Sequence, residues 1–230
     1  MPVGILCNCL SIALGGAVGR LIGKKLSQSV IQSLMNVFAV CCLGIGISLI
    51  VQAKTLSAVI LSVILGSFIG SLADIDGRLR KGVDAASAAL RKNGSAESDD
   101  ADILSLIVLF CFGTTTIIGA LTEGMSGDPD ILIMKSVLDG FTALIFACRK
   151  GLAVSLLAVP QFAVCIILYF IASVIMPYIT PEMLCDFKAC GGLITFATGL
   201  RMCGIIDIKS SDMLPSLFLS LLISWLWTNL

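Results

Sequence analysis

Long apolar runs dominate this chain, and they constrain its fold more than any other feature. They lie near 3–22, 30–51, 56–72, 103–121, 131–148, 152–176, 189–206 and 213–227. A helix that crosses the hydrocarbon core of a bilayer must cover roughly 30 Å at about 1.5 Å per residue, so it needs about 20 mostly apolar residues. The runs are too long for barrel strands and lack their alternation. An open sheet edge cannot survive in lipid, because each unpaired backbone group goes unsatisfied. The pattern therefore predicts an all-α, polytopic bundle of about eight transmembrane helices in a single membrane domain over 1–230.

Composition agrees. Hydrophobic residues make up 57% of the chain and charged residues 13%, with a mean hydropathy of +1.05. A soluble domain carries about 25% charged residues, so this chain could not cover itself in water, and the lipid bilayer is its natural partner. The formal net charge is zero, which gives no electrostatic reason to expect nucleic acid. The first apolar run starts at Pro2 with no basic segment ahead of it, and reads as a retained span rather than a cleaved signal.

Basic residues set the expected topology. Arg20, Lys24 and Lys25 follow the first run; Arg78, Arg80, Lys81, Arg91 and Lys92 follow the third; Arg149 and Lys150 follow the fifth; Lys209 follows the seventh. The opposite loops hold Lys54 and Lys188, with Lys135 near that face. Lys and Arg mark the cytoplasmic side, so eight crossings with both termini outside a bacterial inner membrane account for the charges. Losing the fifth span would move Arg149 and Lys150 outside. That span holds Lys135, Asp139, Gly140 and Thr142, and the alternative there is seven spans plus a re-entrant segment. The hydrophilic stretch 74–102 reads as a short cytosolic helix followed by a connector. LGSFIGSLADID in the third span and TGLRMCGIIDIK in the seventh suggest either an internal repeat of four spans plus four or a coincidence of two apolar runs.

Small residues supply the clearest local signal. Gly15, Gly16, Gly19 and Gly23 share one face of the first span, Gly66 and Gly70 mark the third, and Gly44 and Gly46 interrupt the second. With no Cβ between them, helix backbones approach closely at such faces. Gly15, Gly19, Gly66, Gly70, Gly113 and Gly140 are thus candidates for packing or gating, and the same faces suit a homodimer. Charge inside a span is more telling, since an ionisable group near the membrane centre costs at least about 2.5–3.5 kcal/mol. Lys135 and Asp139, four apart, share a helix face; snorkelling to the interface is the alternative for Lys135. Arg201 is assigned to the seventh span, with Asp139 or Asp207 as its expected partner. Asn8, Asn36, Gln161, Thr195 and the run Thr114, Thr115, Thr116 add uncharged polar groups within apolar stretches. They can line a pathway, bond across helices, or, for threonine, bond back to their own helix. Pro160 is expected to kink the sixth span.

Several chemistries find no support. The chain has no histidine, which removes histidine triads and histidine-held zinc or haem. Its ten cysteines contain no Cys-x-x-Cys pair and read mainly as small hydrophobes, although Cys185 and Cys190 could meet in one loop. GRLIGKKLS fails the phosphate-loop spacing, and no G-x-S-x-G elbow exists. No enzyme activity, cofactor or metal is expected.

The order of the pieces brings a family into view. GILCN at 4–8 with the following LGG, LGSFIGSLADIDGRL at 65–79, LFCFGTTTIIGAL at 109–121, KSVLDG at 135–140 and the closing GLRMCGI…MLPSLFL together resemble the bacterial family of multispanning membrane proteins called domain of unknown function 554, the YdfK and YqgA type. The resemblance covers nearly the whole chain and implies an inner-membrane protein presumed to transport. It carries over no substrate. Arg201 stands where a neutral polar residue is expected, so Lys135 and Asp139 are the better candidates for a shared site. The leading expectation is a secondary transporter or permease for a small solute or ion, bound at Asp139, Lys135, Asn8, Asn36, Thr114, Thr115, Thr116 and Arg201. The alternatives are an oligomeric channel-like pore and a non-transporting scaffold or regulator.

Overall fold

The computed structural model describes residues 2–22, 27–79, 81 and 113–229. These residues form helices with no strand among them: α1 (Val3–Ile22), α2 (Gln28–Ile50), α3 (Leu56–Ala73), α4 (Thr114–Ser126), α5 (Asp130–Lys150), α6 (Ala158–Ile175), α7 (Pro181–Met202) and α8 (Pro215–Asn229). Most of the expected cytosolic segment, at 80 and 82–102, lies outside the described residues. So do Gly23, Lys24, Lys25, Cys111 and the whole first half of the fourth run.

Among the described residues six helical stretches are long and apolar enough to cross a membrane: α1, α2, α3, α5, α7 and the stretch Gly151–Tyr178 that contains α6. On that criterion the expected eight is not reached. α4 has 13 described residues, and α8 has 15, which rise only about 22 Å. The fifth run forms one unbroken 21-residue helix, so no re-entrant break is needed there. Exposed and buried residues are distributed as lipid demands. Leu14, Ile64, Phe68, Val174 and Trp225 are exposed, while Asn8, Glu123, Lys135, Asp139, Gln161 and Asp186 are buried.

The chain divides into two compact units. The first joins Met1–Gln32 to Arg78–Ile171. Its frame is α1 running parallel to α5. A Cβ added at Gly4 would press on Leu132, one at Gly15 would overlap the Gly140 backbone carbonyl, and one at Gly19 would overlap that of Leu144. The helices meet backbone to backbone because these positions carry no side chain, and dispersion then holds them where lipid offers no hydrophobic drive. Ile12, Ala143, Ala147, Val154 and Leu157 form one buried cluster; Ile5, Ala120, Leu132 and Cys165 form another.

Pro160 does not kink a single helix as expected. Gly151, at φ +70°, ends α5 in a conformation that favours glycine. A 3₁₀ stretch, Gly151–Leu157, follows. α6 begins only at Ala158, so Pro160 falls in its first turn, where a missing N–H costs no hydrogen bond.

The second unit joins Ser33–Gly77 to Ala172–Leu230. Here α3 packs antiparallel to α8, with Gly66 against Ser216 and Gly70 against the Asp212 carbonyl. α2 packs antiparallel to α7, with Gly46 against Phe196 and Gly199 against Ala39. Thr180 caps α7 by accepting from the Met183 N–H at 3.3 Å, and Pro181 follows at its first position. Cys185 and Cys190 both lie within α7, not in a loop, and both are free thiols. The buried Cys190 Sγ sits 3.3 Å from Ser216 Oγ.

Candidate functional site

The first unit buries a continuous polar chain. α5 carries Lys135 and Asp139 one turn apart, with side chains 9% and 11% exposed, and their ion pair runs from the Lys135 ammonium to Asp139 Oδ2. From α1, Asn8 Nδ2 donates to the same oxygen at 2.8 Å. From α6, Gln161 Nε2 donates to Asn8 Oδ1 at 3.0 Å. Three helices thus contribute one line of groups, Lys135–Asp139–Asn8–Gln161. Close packing of α1 on α5 makes the line possible, since the glycine contacts bring the Asn8 amide within reach of Asp139. Ser11 reinforces the seam by donating to the Ser136 carbonyl at 2.5 Å.

Lys135 does not snorkel. It is buried, and its ammonium is neutralised within its own helix. A pair of this kind is poor evidence for stability, because replacing both partners with apolar residues is often neutral or stabilising, whereas removing one strands a charge.

The other candidates sit elsewhere. Thr114, Thr115 and Thr116 form the first turn of α4, preceded by Gly113 at its N-cap; Thr114 and Thr116 are buried and Thr115 is half-buried. Asn36 lies exposed on α2 in the second unit. Arg201 belongs to the last turn of α7, and of the two expected partners it takes Asp207, at 3.6 Å, beyond the helix end. Asp207 is 92% exposed, so this pair lies at a helix terminus rather than at mid-span. A groove of about 330 Å³ runs along the α1–α5 seam, but Ser11, Leu14, Val18, Val137 and Phe141 line it and none of the four network residues does.

Sequence reasoning missed a second use of buried acids. Glu123, at the end of α4, accepts from the Gly4 and Ile5 N–H groups at 2.7 and 3.1 Å, two donors that the first turn of α1 cannot satisfy itself. In the second unit, Asp186 of α7 accepts from the N–H groups of Lys54 and Thr55 at 2.9 and 2.8 Å, and from Ser224 Oγ at 2.7 Å. Asp212 accepts from the Asp76 N–H at 2.8 Å. Glu123 and Asp186 act as caps supplied from another part of the chain, at the entries to α1 and α3, and the positive end of the helix dipole favours them there. No local pattern encodes such caps, because donor and acceptor are more than 100 residues apart.

The family described as "Protein of unknown function (DUF554)" matches residues 3–225. The chain is similar to "Uncharacterized protein YqgA" of Escherichia coli (strain K12), 42% identical, with 99% of this chain and 98% of that protein covered. It is also similar to "Uncharacterized membrane protein YdfK" of Bacillus subtilis (strain 168), 26% identical, over 94% of this chain and 93% of that one. No solved structure matches.

Proposed function

From the premise that this chain belongs to the DUF554 family and is a multispanning membrane protein, we propose that it is a secondary transporter or permease for a small solute or ion. Asp139 is the ion- or proton-bearing group, and Lys135 is its resident counter-charge. The observation that carries this reading is the buried Lys135–Asp139–Asn8–Gln161 line. Two ionisable groups placed within a spanning helix work against insertion by several kcal/mol before they pair, and the pair adds little stability in return. A site that exchanges partners during transport is a physical reason to hold such groups there.

Helix directions within the units support the proposed topology. α1 parallel to α5, α2 antiparallel to α7 and α3 antiparallel to α8 are the relations that eight alternating crossings require. The positive-inside rule then assigns the loops holding Arg20, Arg78, Arg149 and Lys209 to the cytoplasm and both termini to the outside of a bacterial inner membrane. Gly15, Gly19, Gly66 and Gly70 are taken up by contacts within the chain, so a homodimer would need other faces.

The test is flux into liposomes holding the purified protein, across a broad panel of ions and small solutes under imposed ion gradients. Asp139→Asn should abolish coupled flux, while Asn36→Ala should leave it unchanged. No flux of any solute, or full flux from Asp139→Asn, would sink the proposal. Discrete single-channel currents would favour a pore instead.

A further inference from the structure

The polar line has a direction, and Asp139 sets it. A carboxylate has only acceptors to offer. Lys135 and Asn8 must both donate to it, so Asn8 turns its NH₂ toward Asp139 and its Oδ1 toward Gln161. Gln161 must answer with Nε2. Turning either amide over would set oxygen against oxygen or strand a donor, so neither orientation is free to choose. What remains at the far end is Gln161 Oε1. Among the described residues that atom has no hydrogen-bond partner, and its residue is 0% exposed. A buried carbonyl in this state stays penalised until a donor reaches it.

We propose that Gln161 Oε1 recognises a small ligand through an N–H or O–H donor, and that Asp139, held by Lys135 and acting through Asn8, sets this preference for donors over anions. Ammonium, amine, amide and alcohol groups satisfy it. Carboxylates, phosphates and halides, which only accept, do not. The inference rests on reading the line as a ligand site, and it narrows the class of solute that the site takes.

The experiment measures thermal unfolding of the full-length purified chain in detergent micelles, with probes matched in size or charge. Acetamide is compared with acetone, and methylammonium chloride with tetramethylammonium chloride. A donor-bearing probe at about ten times its Kd should raise the midpoint by about 3–6 °C, and its donor-free counterpart should not. Asp139→Asn replaces the acceptor-only anchor with an amide that both donates and accepts, so the difference within each pair should shrink several-fold. Gln161→Met should remove it.

Equal midpoints within both pairs for the unmodified protein would overturn the proposal. So would a difference that both substitutions leave undiminished. If Gln161→Met does not fold, the unmodified pairs and Asp139→Asn still decide. Liposomes that move no solute, from a protein that still separates the pairs, would sink the transport reading and leave this one standing. Flux without any separation would do the reverse.

Discussion

Removing the Lys135 ammonium tests the energetics of the site directly. Lys135→Met keeps the unbranched apolar stem of the side chain but drops the ammonium and leaves Asp139 with Asn8 as its remaining donor among the bonds described. Both side chains of the pair are only about a tenth exposed, so water cannot readily replace the lost partner. Stranding one charge of a buried pair costs about 3–5 kcal/mol. Adding Asp139→Asn removes that charge while keeping an amide oxygen for Asn8 Nδ2, so the double variant should lie within about 1–2 kcal/mol of the unmodified protein. The two changes therefore fail to add by about 2 kcal/mol or more, well beyond the roughly 0.3–0.5 kcal/mol scatter of independent sites. Reversible unfolding in mixed micelles of increasing SDS fraction, followed by far-UV circular dichroism, measures each corner of the cycle. Additive costs, or a cost for Lys135→Met under about 1 kcal/mol, would show that the pair reaches water and that the site is not buried.

Two further substitutions probe the scaffold. Gly15→Ala forces a methyl into the Gly140 carbonyl and should cost about 1–3 kcal/mol in the same assay. Gly44→Ala meets nothing within 4 Å and should be neutral or gain up to about 1 kcal/mol; equal effects at the two sites would refute close packing at α1–α5. Glu123→Gln sets an amide NH₂ against one of the two N–H donors of α1 and should cost about 1–3 kcal/mol. Asp207→Asn, at a side chain 92% exposed, should stay within about 0.5 kcal/mol; a Glu123→Gln effect no larger than that would remove the capping role.

How much of the site was legible depends on sequence distance. Lys135 and Asp139 are one turn apart, so helical periodicity alone places them on one face. The small-residue spacing of Gly15 and Gly19 likewise announces a close helix contact. The partner across that contact, Asp139's bond to Asn8 131 residues away, follows no local rule. Arg201 falls in the seventh helix as its run implies, but an apolar run does not reveal where its helix stops, and α7 ends at Met202, one residue beyond Arg201. Pro160 misled in the same way, since its effect depends on whether a helix is already under way when the proline arrives.

The chain alone determined that it is helical and lives in lipid, because backbone hydrogen bonding and transfer free energy act on each run by itself. It also determined which few ionisable groups a membrane would have to shelter. Only the tertiary structure decided what shelters them. Glycine contacts bring α1 onto α5, α6 lends Gln161, and acids from distant helices quiet the N–H groups of Gly4 and Ile5 in α1 and of Lys54 and Thr55 just ahead of α3. Those pairings arise from backbone proximity between segments far apart in the chain, and no periodicity within a segment encodes them.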